Sequence, residues 1–482
     1  MGQSPQGALA GIVAYGAYVP YHRIQRSAIA AGLGQPVGDG SRAVASYDED
    51  TTSMGVEAAR GALAAAPPGW TPDGLLFATA APAYLDKTNA TAVHAALQLD
   101  TSAMAVDLAA SARNGVTALR LASEHGGTRL VVASDLRTGA PASVDEREGG
   151  DGAAAFAFGP SDSNDVLARV VGVGAATGEF QDRSRLPGEQ TSRLWEERFG
   201  EHAYTPLIDA AVADAFKSAG LAADGLDHLI VVGPHSRAVR SAVRRIGASK
   251  DVLADDLSST VGNTGAAHAG LVLADVLDRA GPDEVIALVS VADGVDVLLL
   301  RTTEALSQRR PARTVADQVT SARDDLSYTT WLTWRGLLER QPPRRPDPRR
   351  PAAPPSLRTV DWKFGFVGSR CTACGTRHMP PNRVCVECRA VDEMEPEPMA
   401  DATGTIATFT IDRLTYTINP PVVAAVIDFD GGGRFKCELT DVDPTSVAIG
   451  DRVELTFRRL YTSQGVHNYF WKARPPRDAV TA

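Results

Sequence analysis

Four of the five cysteines in the chain form two short motifs of the same spacing. Each motif has two residues between its cysteines, and ten residues separate the motifs. They are Cys371, Cys374, Cys385 and Cys388. Two such motifs let four thiolates meet around one tetrahedral Zn²⁺, and because that set leaves no open position, it favours a structural site over a redox pair. His378, between the motifs, is interpreted as a surface-loop histidine rather than a ligand, and Cys437 as a packed strand residue.

Two polar residues lie where ligands usually bind in an α/β protein. His235 follows Pro234 at the end of an apolar strand, and Asn263 lies in Gly262-Asn-Thr-Gly265, where a helix is predicted to begin. Carboxyl ends of strands and starts of helices are common ligand positions. Each residue also has a purely structural interpretation: His235 as a histidine whose hydrogen bonds are made within the fold, and Asn263 as a capping residue in a turn.

Residues 107–119 are predicted to form a strand end, a sharp turn of small residues and the start of an Ala-rich helix. This geometry presents one side chain at a helix N-terminus, where the helix dipole favours developing negative charge. The turn carries Ser111, Ala112 and Arg113.

The elements that position these residues alternate strands with helices, which predicts βαβ units and a mostly parallel sheet. Predicted strands are residues 11–18, 75–80, 104–107, 129–134, 152–158, 167–174, 229–232, 252–253, 285–291 and 295–300. Predicted helices are residues 48–66, capped by Thr51 or Thr52, and residues 92–99, 115–124, 203–219 and 263–280. The two halves have the same element order, which indicates an internal duplication.

The chain changes character after about residue 303. Residues 328–339 have Trp331, Trp334, Leu337 and Leu338 at helical spacing, which predicts an amphipathic helix docked on a domain. Residues 341–355 are rich in Arg and Pro and are predicted to be an extended connector, because Pro disfavours helix and central strand. A surface-wrapping linker is favoured over a nucleic-acid segment. The last predicted strands, residues 404–412, 422–428, 434–440 and 452–460, have the pattern of a small antiparallel barrel.

Composition narrows the class of protein. The chain has 482 residues, 44% of them hydrophobic and 22% charged, which is typical of a globular protein of two or three domains. The net charge of -10 argues against a general nucleic-acid surface. No apolar run approaches the roughly 20 residues that span a bilayer, and nothing near Met1 resembles a signal peptide. With the clustered cysteines, these features predict a cytoplasmic protein that does not enter a membrane.

Residues 10–303 resemble the thiolase superfamily, nearest to its 3-hydroxy-3-methylglutaryl-CoA synthase and ketoacyl synthase III branches. The matching segments are residues 45–60, 107–119, 150–155, 232–235 and 262–267. Residues 359–482 resemble the zinc-ribbon plus OB-fold proteins that accompany thiolase-like enzymes and handle acyl-CoA. Here the match consists of the four cysteines with Pro380-Pro381, and of residues 404–406, 449–453 and 468–475.

The resemblance implies an α/β five-layer αβαβα duplicated fold, an obligate dimer, and a CoA or carrier-protein thioester as substrate. It divides the chain into a thiolase-like N-terminal half (residues 1–165), a thiolase-like C-terminal half (166–305), a helix and Pro/Arg-rich linker (306–358), a zinc ribbon (359–400) and an OB-fold barrel (401–482).

The resemblance places only half of the family's catalytic set on this chain. His235 falls on the catalytic histidine and Asn263 on the catalytic asparagine, which donate hydrogen bonds to a thioester or enolate oxygen. The nucleophilic cysteine falls on Ala112, and the general acid/base glutamate falls near Ala80. Because no thiolate stands at the helix N-terminus, a cysteinyl acyl-enzyme cannot form there.

Four further residues have open roles. Ser111 is either a substitute nucleophile with His235 as base, or a small residue needed by the turn. Arg113 either binds a carboxylate or phosphate, or covers the dimer surface. His268 either reaches the same pocket as Asn263 or packs in its helix, and Tyr204 is a candidate for proton transfer.

The sequence thus predicts an enzyme that makes or breaks a C–C bond beside a thioester by enolate stabilisation, in aldol, retro-aldol or decarboxylation chemistry. Two alternatives stay open: an acyltransferase that uses Ser111 as nucleophile, and a non-catalytic thioester-binding subunit of a thiolase complex. The expected partners are acyl-CoA or an acyl-carrier protein, a second copy of the chain bound through the thiolase-like domain, and possible further thiolase-like subunits, with structural zinc as the cofactor.

Overall fold

The computed structural model describes residues 9–36, 38–195, 197–344, 346 and 348–477. The expectation about the missing signal peptide falls mainly on residues 1–8, and Arg345 and Asp347 belong to the predicted connector; these positions lie outside the described residues. Within the described ranges, every helix is too short or too polar to cross a bilayer.

Residues 11–302 form an α/β unit that we call the core. Its first half, residues 11–159, follows the predicted order of elements closely. Its strands are β1 (Gly11–Tyr18), β2 (His22–Gln25), β3 (Ser41–Val44), β4 (Gly74–Thr79), β5 (Met104–Ala109), β6 (Arg129–Leu136) and β7 (Asp151–Gly159). Its helices are α1 (Arg26–Leu33), α2 (Thr51–Ala64), α3 (Ala90–Ala96), α4 (Asn114–His125) and α5 (Val144–Glu148). The prediction that Thr51 or Thr52 caps α2 is wrong. Asp50 is the cap: its carboxylate accepts a hydrogen bond from Ser53 N, which completes a capping box with the Ser53 hydroxyl.

The second half departs further from the prediction. Its strands are β8 (Ala168–Ala176), β9 (Arg183–Ser184), β10 (Arg193–Leu194), β11 (His228–Val232), β12 (Val285–Val291) and β13 (Val295–Thr302), and its helices are α6 (Glu197–Ala219), α7 (Ser236–Ile246) and α8 (His268–Arg279). The strand predicted at residues 252–253 is wrong: Val252 ends the 3₁₀ turn Lys250–Val252, and Leu253 forms a single bridge with Leu229. The helix predicted from Asn263 begins at His268, after the 3₁₀ turn Gly265–Ala267.

In the described part of the chain, nine strands form one sheet in the order β11-β12-β13-β8-β1-β7-β6-β4-β5. The prediction of a mostly parallel sheet is wrong. Parallel pairing joins β11 to β12, and β4 to β5 and β6, while the other neighbours run antiparallel. For β12 and β13 the cause is the short connection: residues 292–294 join them, and so short a link cannot hold a crossover helix.

The sheet divides into two half-sheets, which are joined where two residue pairs link β1 to β8. One apolar cluster contains residues of α4, α8 and both half-sheets, so these helices form a central layer. A second cluster places α2 and α3 on the outer face of the first half-sheet, and a third places α6 and α7 on the outer face of the second. The five-layer αβαβα arrangement is therefore confirmed. Its centre is tight, because a Cβ on Gly115 of α4 would lie 1.8 Å from Ala266 O.

The described residues of the segment after the core form the short helices α9 (Ala305–Gln308), α10 (Val315–Thr320), α11 (Tyr328–Trp334), α12 (Ala353–Arg358) and α13 (Val360–Lys363). The amphipathic helix docks as predicted, with Trp331 fully buried among apolar residues of the N-terminal half. It ends at Trp334 rather than at residue 339, since Gly336 has a positive φ of 68°. The predicted connector of residues 341–355 is wrong at its end: α12 begins at Ala353, with prolines in its first turn, where Pro is tolerated.

Two small β units complete the chain. The strands β14 (Val367–Cys371), β15 (Arg377–His378) and β16 (Met394–Pro398) form a three-stranded ribbon. The strands β17 (Thr403–Asp412), β18 (Val422–Phe429), β19 (Arg434–Leu439), β20 (Arg452–Ser463) and β21 (Val466–Arg474) close a barrel in the order β17-β18-β19-β21-β20. The sequence-based strand prediction missed β21, because its buried Lys472 and Arg474 interrupt the apolar alternation.

The barrel packs on helix α2 of the core. One apolar cluster runs from Met54 and Ala58 of α2 to Phe457 and Trp471 of the barrel. Beside it lies a set of buried charged residues that we call the barrel–core charge network. Its members are Asp48, Glu49, Glu57, Asp441, Arg458, Lys472 and Arg474. The barrel is thus joined to the core by apolar packing and by ion pairs together.

Candidate functional site

The sheet topology brings the predicted site residues to one edge. The parallel strands β4, β5 and β6 end together, and they are followed by Ala80, by the turn of residues 110–113 and by Arg137. The parallel strands β11 and β12 also end together, and they are followed by His235 and by Asp293. Because parallel strands share one carboxyl edge, segments distant in sequence meet there.

The turn before α4 is a strained elbow. Ala110 has a φ of 87°, a conformation that a residue with a Cβ rarely adopts. Asn114 Nδ2 donates to Ala109 O at 2.7 Å, and Arg113 N donates to Ser111 Oγ at 3.1 Å. Local strain held by such contacts is a feature of functional turns.

A cavity of about 440 Å³ opens in front of the elbow. Four residues singled out by the sequence line it together: Ala80, Ser111, Ala112 and Tyr204. Arg185 also lines it and donates from its guanidinium to Ala80 O. A cation therefore borders the position where the resemblance would place a glutamate.

Ser111 has a carboxylate partner rather than an imidazole partner. Its hydroxyl donates to Asp293 Oδ2 and accepts from Arg113 N. Among the hydrogen bonds of the described residues, none links Ser111 to His235, so the expected serine–histidine pair is not formed.

His235 caps helix α7 and keeps one ring nitrogen free. Its Nδ1 accepts from Ala238 N at 3.2 Å, which assigns the proton of the neutral ring to Nε2. That Nε2 is buried and has no hydrogen-bond partner within the described residues. The ring lies 5.9 Å from the ring of Tyr204, and a Cβ on Gly200 of α6 would lie 2.3 Å from Nε2. His235 thus holds an unused donor under the start of α6.

Asn263 and His268 lie on a second cavity, of about 280 Å³. The amide of Asn263 is fixed, since Nδ2 donates to Gly233 O at 2.8 Å and Oδ1 accepts from Gly265 N at 2.9 Å. One N–H of Nδ2 remains for a ligand. Burial lowers the pKa of His268 to about 4, so its imidazole is neutral at pH 7.

The two cavities share part of their walls. The shared residues are Arg137, Asp145, Arg183 and Pro234. Arg183 Nη1 lies 2.6 Å from Asp145 Oδ2, and Arg137 Nη2 lies 3.4 Å from Asp145 Oδ1. Burial opposes ionisation of Asp145, but the hydrogen bond from Arg183 and the charge of Arg137 outweigh it and lower the pKa of the carboxyl to about 2. This ion cluster is therefore charged over the whole physiological range.

Tyr204 lies in a chain of hydrogen bonds on the wall of the first cavity. Its hydroxyl donates to Asp182 Oδ2 at 2.9 Å and accepts from Asp293 N at 3.1 Å. Burial, with the nearby Asp182 carboxylate, raises the pKa of Tyr204, and burial also raises the pKa of Asp182. Tyr204 is thus a neutral hydroxyl that positions the Asp293 backbone.

Arg113 binds a carboxylate of its own chain. Its Nε lies 2.6 Å from Asp296 Oδ2, and its Nη1 donates to Asp293 O at 2.9 Å. It therefore ties the elbow to the β12–β13 connection.

The four cysteines converge as their spacing predicts. Their sulfurs all lie within 4.8 Å of one another, with Cys371 Sγ 3.6 Å from Cys388 Sγ and Cys374 Sγ 3.5 Å from Cys385 Sγ. A tetrahedron with Zn–S bonds of about 2.3 Å has sulfur–sulfur edges of about 3.8 Å, so the donor set fits zinc.

Two further sequence interpretations concern residues near this cluster or near the barrel. The surface-loop interpretation of His378 is wrong, because it is buried in β15 beside Cys385. Cys437 is packed in β19, as expected, and burial raises the pKa of its thiol to about 12.

Sequence reasoning missed several polar residues of the first cavity. They are Asp182, Arg137, Arg183, Arg185 and Asp293. Asp293 had a recognisable signal, since it is the polar residue in a three-residue connection that follows an apolar strand. The others lie on irregular or very short elements, where the sequence pattern is uninformative.

Two family models match the C-terminal part of the chain. The rubredoxin-like zinc ribbon domain of ChsH2 matches residues 365–395, and the C-terminal OB-fold domain of ChsH2 matches residues 397–458. The predicted zinc ribbon and OB-fold are therefore confirmed.

The core has relatives among known proteins. The hydroxymethylglutaryl-CoA synthase of Aeropyrum pernix is 31% identical over 354 residues, which cover 70% of this chain and 97% of that protein. The structure of an HMG-CoA synthase complexed with CoA aligns with a TM-score of 0.57 at 17% identity and covers 67% of this chain and 89% of that chain. That of 3-oxoacyl-(acyl carrier protein) synthase III from Pseudomonas aeruginosa aligns with a TM-score of 0.54 at 21% identity and covers 61% of this chain and 98% of that chain. The predicted thiolase-like fold is confirmed.

Proposed function

Because the chain belongs to the hydroxymethylglutaryl-CoA synthase family, we propose that it makes or breaks a C–C bond beside a CoA thioester without forming an acyl-enzyme at the elbow. The reaction is of the aldol, retro-aldol or decarboxylation type, and each of these passes through an enolate. The observation that carries this proposal is the unused Nε2–H of His235, a buried donor without a partner in the described chain.

The proposed division of labour follows the two cavities. Nε2 of His235 and the free N–H of Asn263 Nδ2 stabilise the thioester oxygen as negative charge develops on it. Arg26 and Arg240 line the second cavity, which we call the outer cavity, and are suited to the phosphates of CoA. The first cavity, which we call the inner cavity, has Ala80 and Ala112 on its wall and receives the acyl group.

Zinc and the dimer belong to the same proposal. Zn²⁺ held by the four cysteines supplies structural stability to the ribbon, since four thiolates close the coordination shell. The core dimerises along β5, which is the last strand at its edge of the sheet and is partly exposed. An open strand edge of this kind is normally covered by another chain. The domain boundaries expected from the sequence are kept in this proposal.

The alternative is acyl transfer through Ser111, which is favoured by one observation. The Ser111 hydroxyl donates to the Asp293 carboxylate and borders the inner cavity. A carboxylate alone is a weaker activator of serine than an imidazole oriented by a third group. We therefore place this candidate second.

The proposal is tested with acetyl-CoA in deuterated buffer. We expect the protein to exchange the α-hydrogens of acetyl-CoA for deuterium, because a stabilised enolate is reprotonated from solvent, and we expect the Ser111→Ala variant to retain most of this rate. Exchange is measured by mass spectrometry of the thioester. An acyl adduct on intact wild-type protein that disappears in Ser111→Ala would instead support acyl transfer, and binding of acetyl-CoA without any exchange would support a non-catalytic subunit.

Removal of the zinc should damage folding more than chemistry. We expect the Cys374→Ser variant to lose bound zinc and most of its soluble expression, because the binding free energy of a structural zinc is folding free energy. Metal analysis and yield of soluble protein measure the effect. A well-folded and fully active protein without zinc would contradict the prediction.

A further inference from the structure

We propose that Asp293 is the general base of this site, which deepens the proposed function and rests on it. Its carboxylate takes the α-proton of the thioester and returns that proton to the oxygen formed when the new C–C bond closes. The juxtaposition behind the proposal is a carboxylate on the β12–β13 connection that lines the inner cavity beside the elbow and accepts a hydrogen bond from the Ser111 hydroxyl.

The backbone of Asp293 is held from two sides. Its N–H donates to the Tyr204 hydroxyl at 3.1 Å, and its C=O accepts from Arg113 Nη1 at 2.9 Å. The next residue, Gly294, has a φ of 132°, and a Cβ there would lie 2.7 Å from Ala176 O. The connection is therefore fixed, and the carboxylate is the part of Asp293 that remains free to face the cavity.

The other carboxylates of the inner cavity are already engaged. Asp135 accepts from Leu136 N and Ala266 N, and Asp145 is bound by two arginines. Asp182 accepts from the Tyr204 hydroxyl, and Glu189 lies 2.8 Å from Arg193 Nη2.

Asp293 differs from these groups in its partner. The side-chain contact found for it in the described chain is the Ser111 hydroxyl, a neutral group that a substrate can displace. Asp293 is therefore the carboxylate of this cavity best placed to accept a proton from a bound molecule.

The position of the base also fits the rest of the site. Position 80 is an alanine and therefore supplies no acidic side chain, and the Arg185 guanidinium donates a hydrogen bond to its carbonyl oxygen. A base for enolate formation must therefore come from another wall. Asp293 lines the same cavity as Pro234, which immediately precedes His235 in the chain.

The proton balance of the reaction is complete with this one residue. The C–H bond at the α-carbon breaks, its proton passes to Asp293, and its electron pair forms the enolate double bond while the carbonyl π pair moves to the thioester oxygen. His235 and Asn263 donate hydrogen bonds to that oxygen. The enolate carbon then attacks an acceptor carbonyl, and the Asp293 carboxylic acid gives its proton to the resulting alkoxide. The cleavage direction is the reverse sequence.

Polar and charged groups surround Asp293 on the elbow, on α6 and on the segment after β8. Arg113 and the Ser111 hydroxyl face it from the elbow, the Tyr204 hydroxyl from α6, and Asp182 from the segment after β8.

The test is the exchange of acetyl-CoA α-hydrogens by wild type and by Asp293→Asn. Asparagine tolerates the φ of 49° at this position, so the backbone is preserved. We expect the exchange rate to fall roughly 10²- to 10⁴-fold, with the dissociation constant for acetyl-CoA and the melting temperature unchanged. The matched control is Asp283→Asn, the same change at a positive φ at the other end of β12, and it should exchange like wild type.

Three outcomes would overturn the inference. Asp293→Asn with the wild-type rate would exclude Asp293 as the base while leaving the proposed function intact. An acyl adduct on Ser111 that requires Asp293 would make Asp293 a partner of the serine. A wild-type protein that binds acetyl-CoA but never exchanges its hydrogens would overturn both proposals. If Asp293→Asn fails to fold, Asp293→Glu replaces it. A base role then predicts a reduced exchange rate, because one extra methylene displaces the carboxylate, and an unchanged rate would exclude the role.

Discussion

Replacement of Arg458 by leucine should lower the free energy of unfolding by about 3–5 kcal/mol, the usual cost of removing one partner from a buried ion pair. The guanidinium is fully buried and lies 2.8 Å from Glu49 Oε1, 3.4 Å from Asp48 Oδ1 and 2.5 Å from Asp441 Oδ2. Leucine would remove one cation from three buried acidic side chains: Glu49 would lose the ion pair found for it in the described chain, while Asp48 would keep Lys472 and Asp441 would keep Arg474. Urea denaturation followed by tryptophan fluorescence measures the change.

The matched control for this prediction is another arginine of the same barrel. Arg434 lies 2.5 Å from Asp428 Oδ1 on β18, but both side chains are exposed to solvent. Because solvent screens such pairs, Arg434→Leu should leave the denaturation midpoint close to that of wild type. Equal effects of the two substitutions would show that the barrel–core charge network does not hold the barrel on the core.

Replacement of His235 by alanine should lower the rate of α-hydrogen exchange by roughly 10²- to 10³-fold, the typical effect of removing one oxyanion donor. The physical reason is that the Nε2–H lies in a buried place, where water cannot replace the hydrogen bond that it gives to a developing oxyanion. The dissociation constant for acetyl-CoA should change little, because the interaction strengthens only as the enolate forms.

A second variant tests whether the position of the His235 imidazole matters as well as its presence. Gly200→Ala keeps His235, but its new Cβ would lie 2.3 Å from the original place of Nε2, so the ring must move. We expect this variant to lose much of the exchange rate while it retains the histidine. Wild-type rates in both variants would remove His235 from the mechanism.

Much of the fold could be predicted from the sequence because the core strands and helices are local and strongly patterned. Strands such as β1 and helices such as α4 lie within a few residues of their predicted bounds. The direction of strand pairing could not be predicted in this way, since it depends on connections such as residues 292–294, whose geometry leaves no periodic signal.

The candidate site was predicted in part for a similar reason. Ala80, Ser111 and Ala112 meet because they follow parallel strands, which the alternation of elements indicates. The partner of Ser111 could not be predicted, since Asp293 is 182 positions away in the chain. The barrel–core charge network was missed for the same reason: Asp48 and Arg458 are 410 positions apart, and a buried charge resembles a surface charge when only the sequence is read.

The positions of the cysteines determine which parts of this protein are sensitive to oxidation and alkylation. Peroxide and alkylating reagents act on accessible thiolates, and the elbow offers them only Ser111 and Ala112. Cys437 resists them because burial raises the pKa of its thiol to about 12. The remaining thiols are those of the ribbon, where Cys374 and Cys388 are exposed. We therefore expect oxidants to modify the cysteines of the zinc ribbon first. The elbow has no thiol to oxidise, so it needs no reductant to remain active.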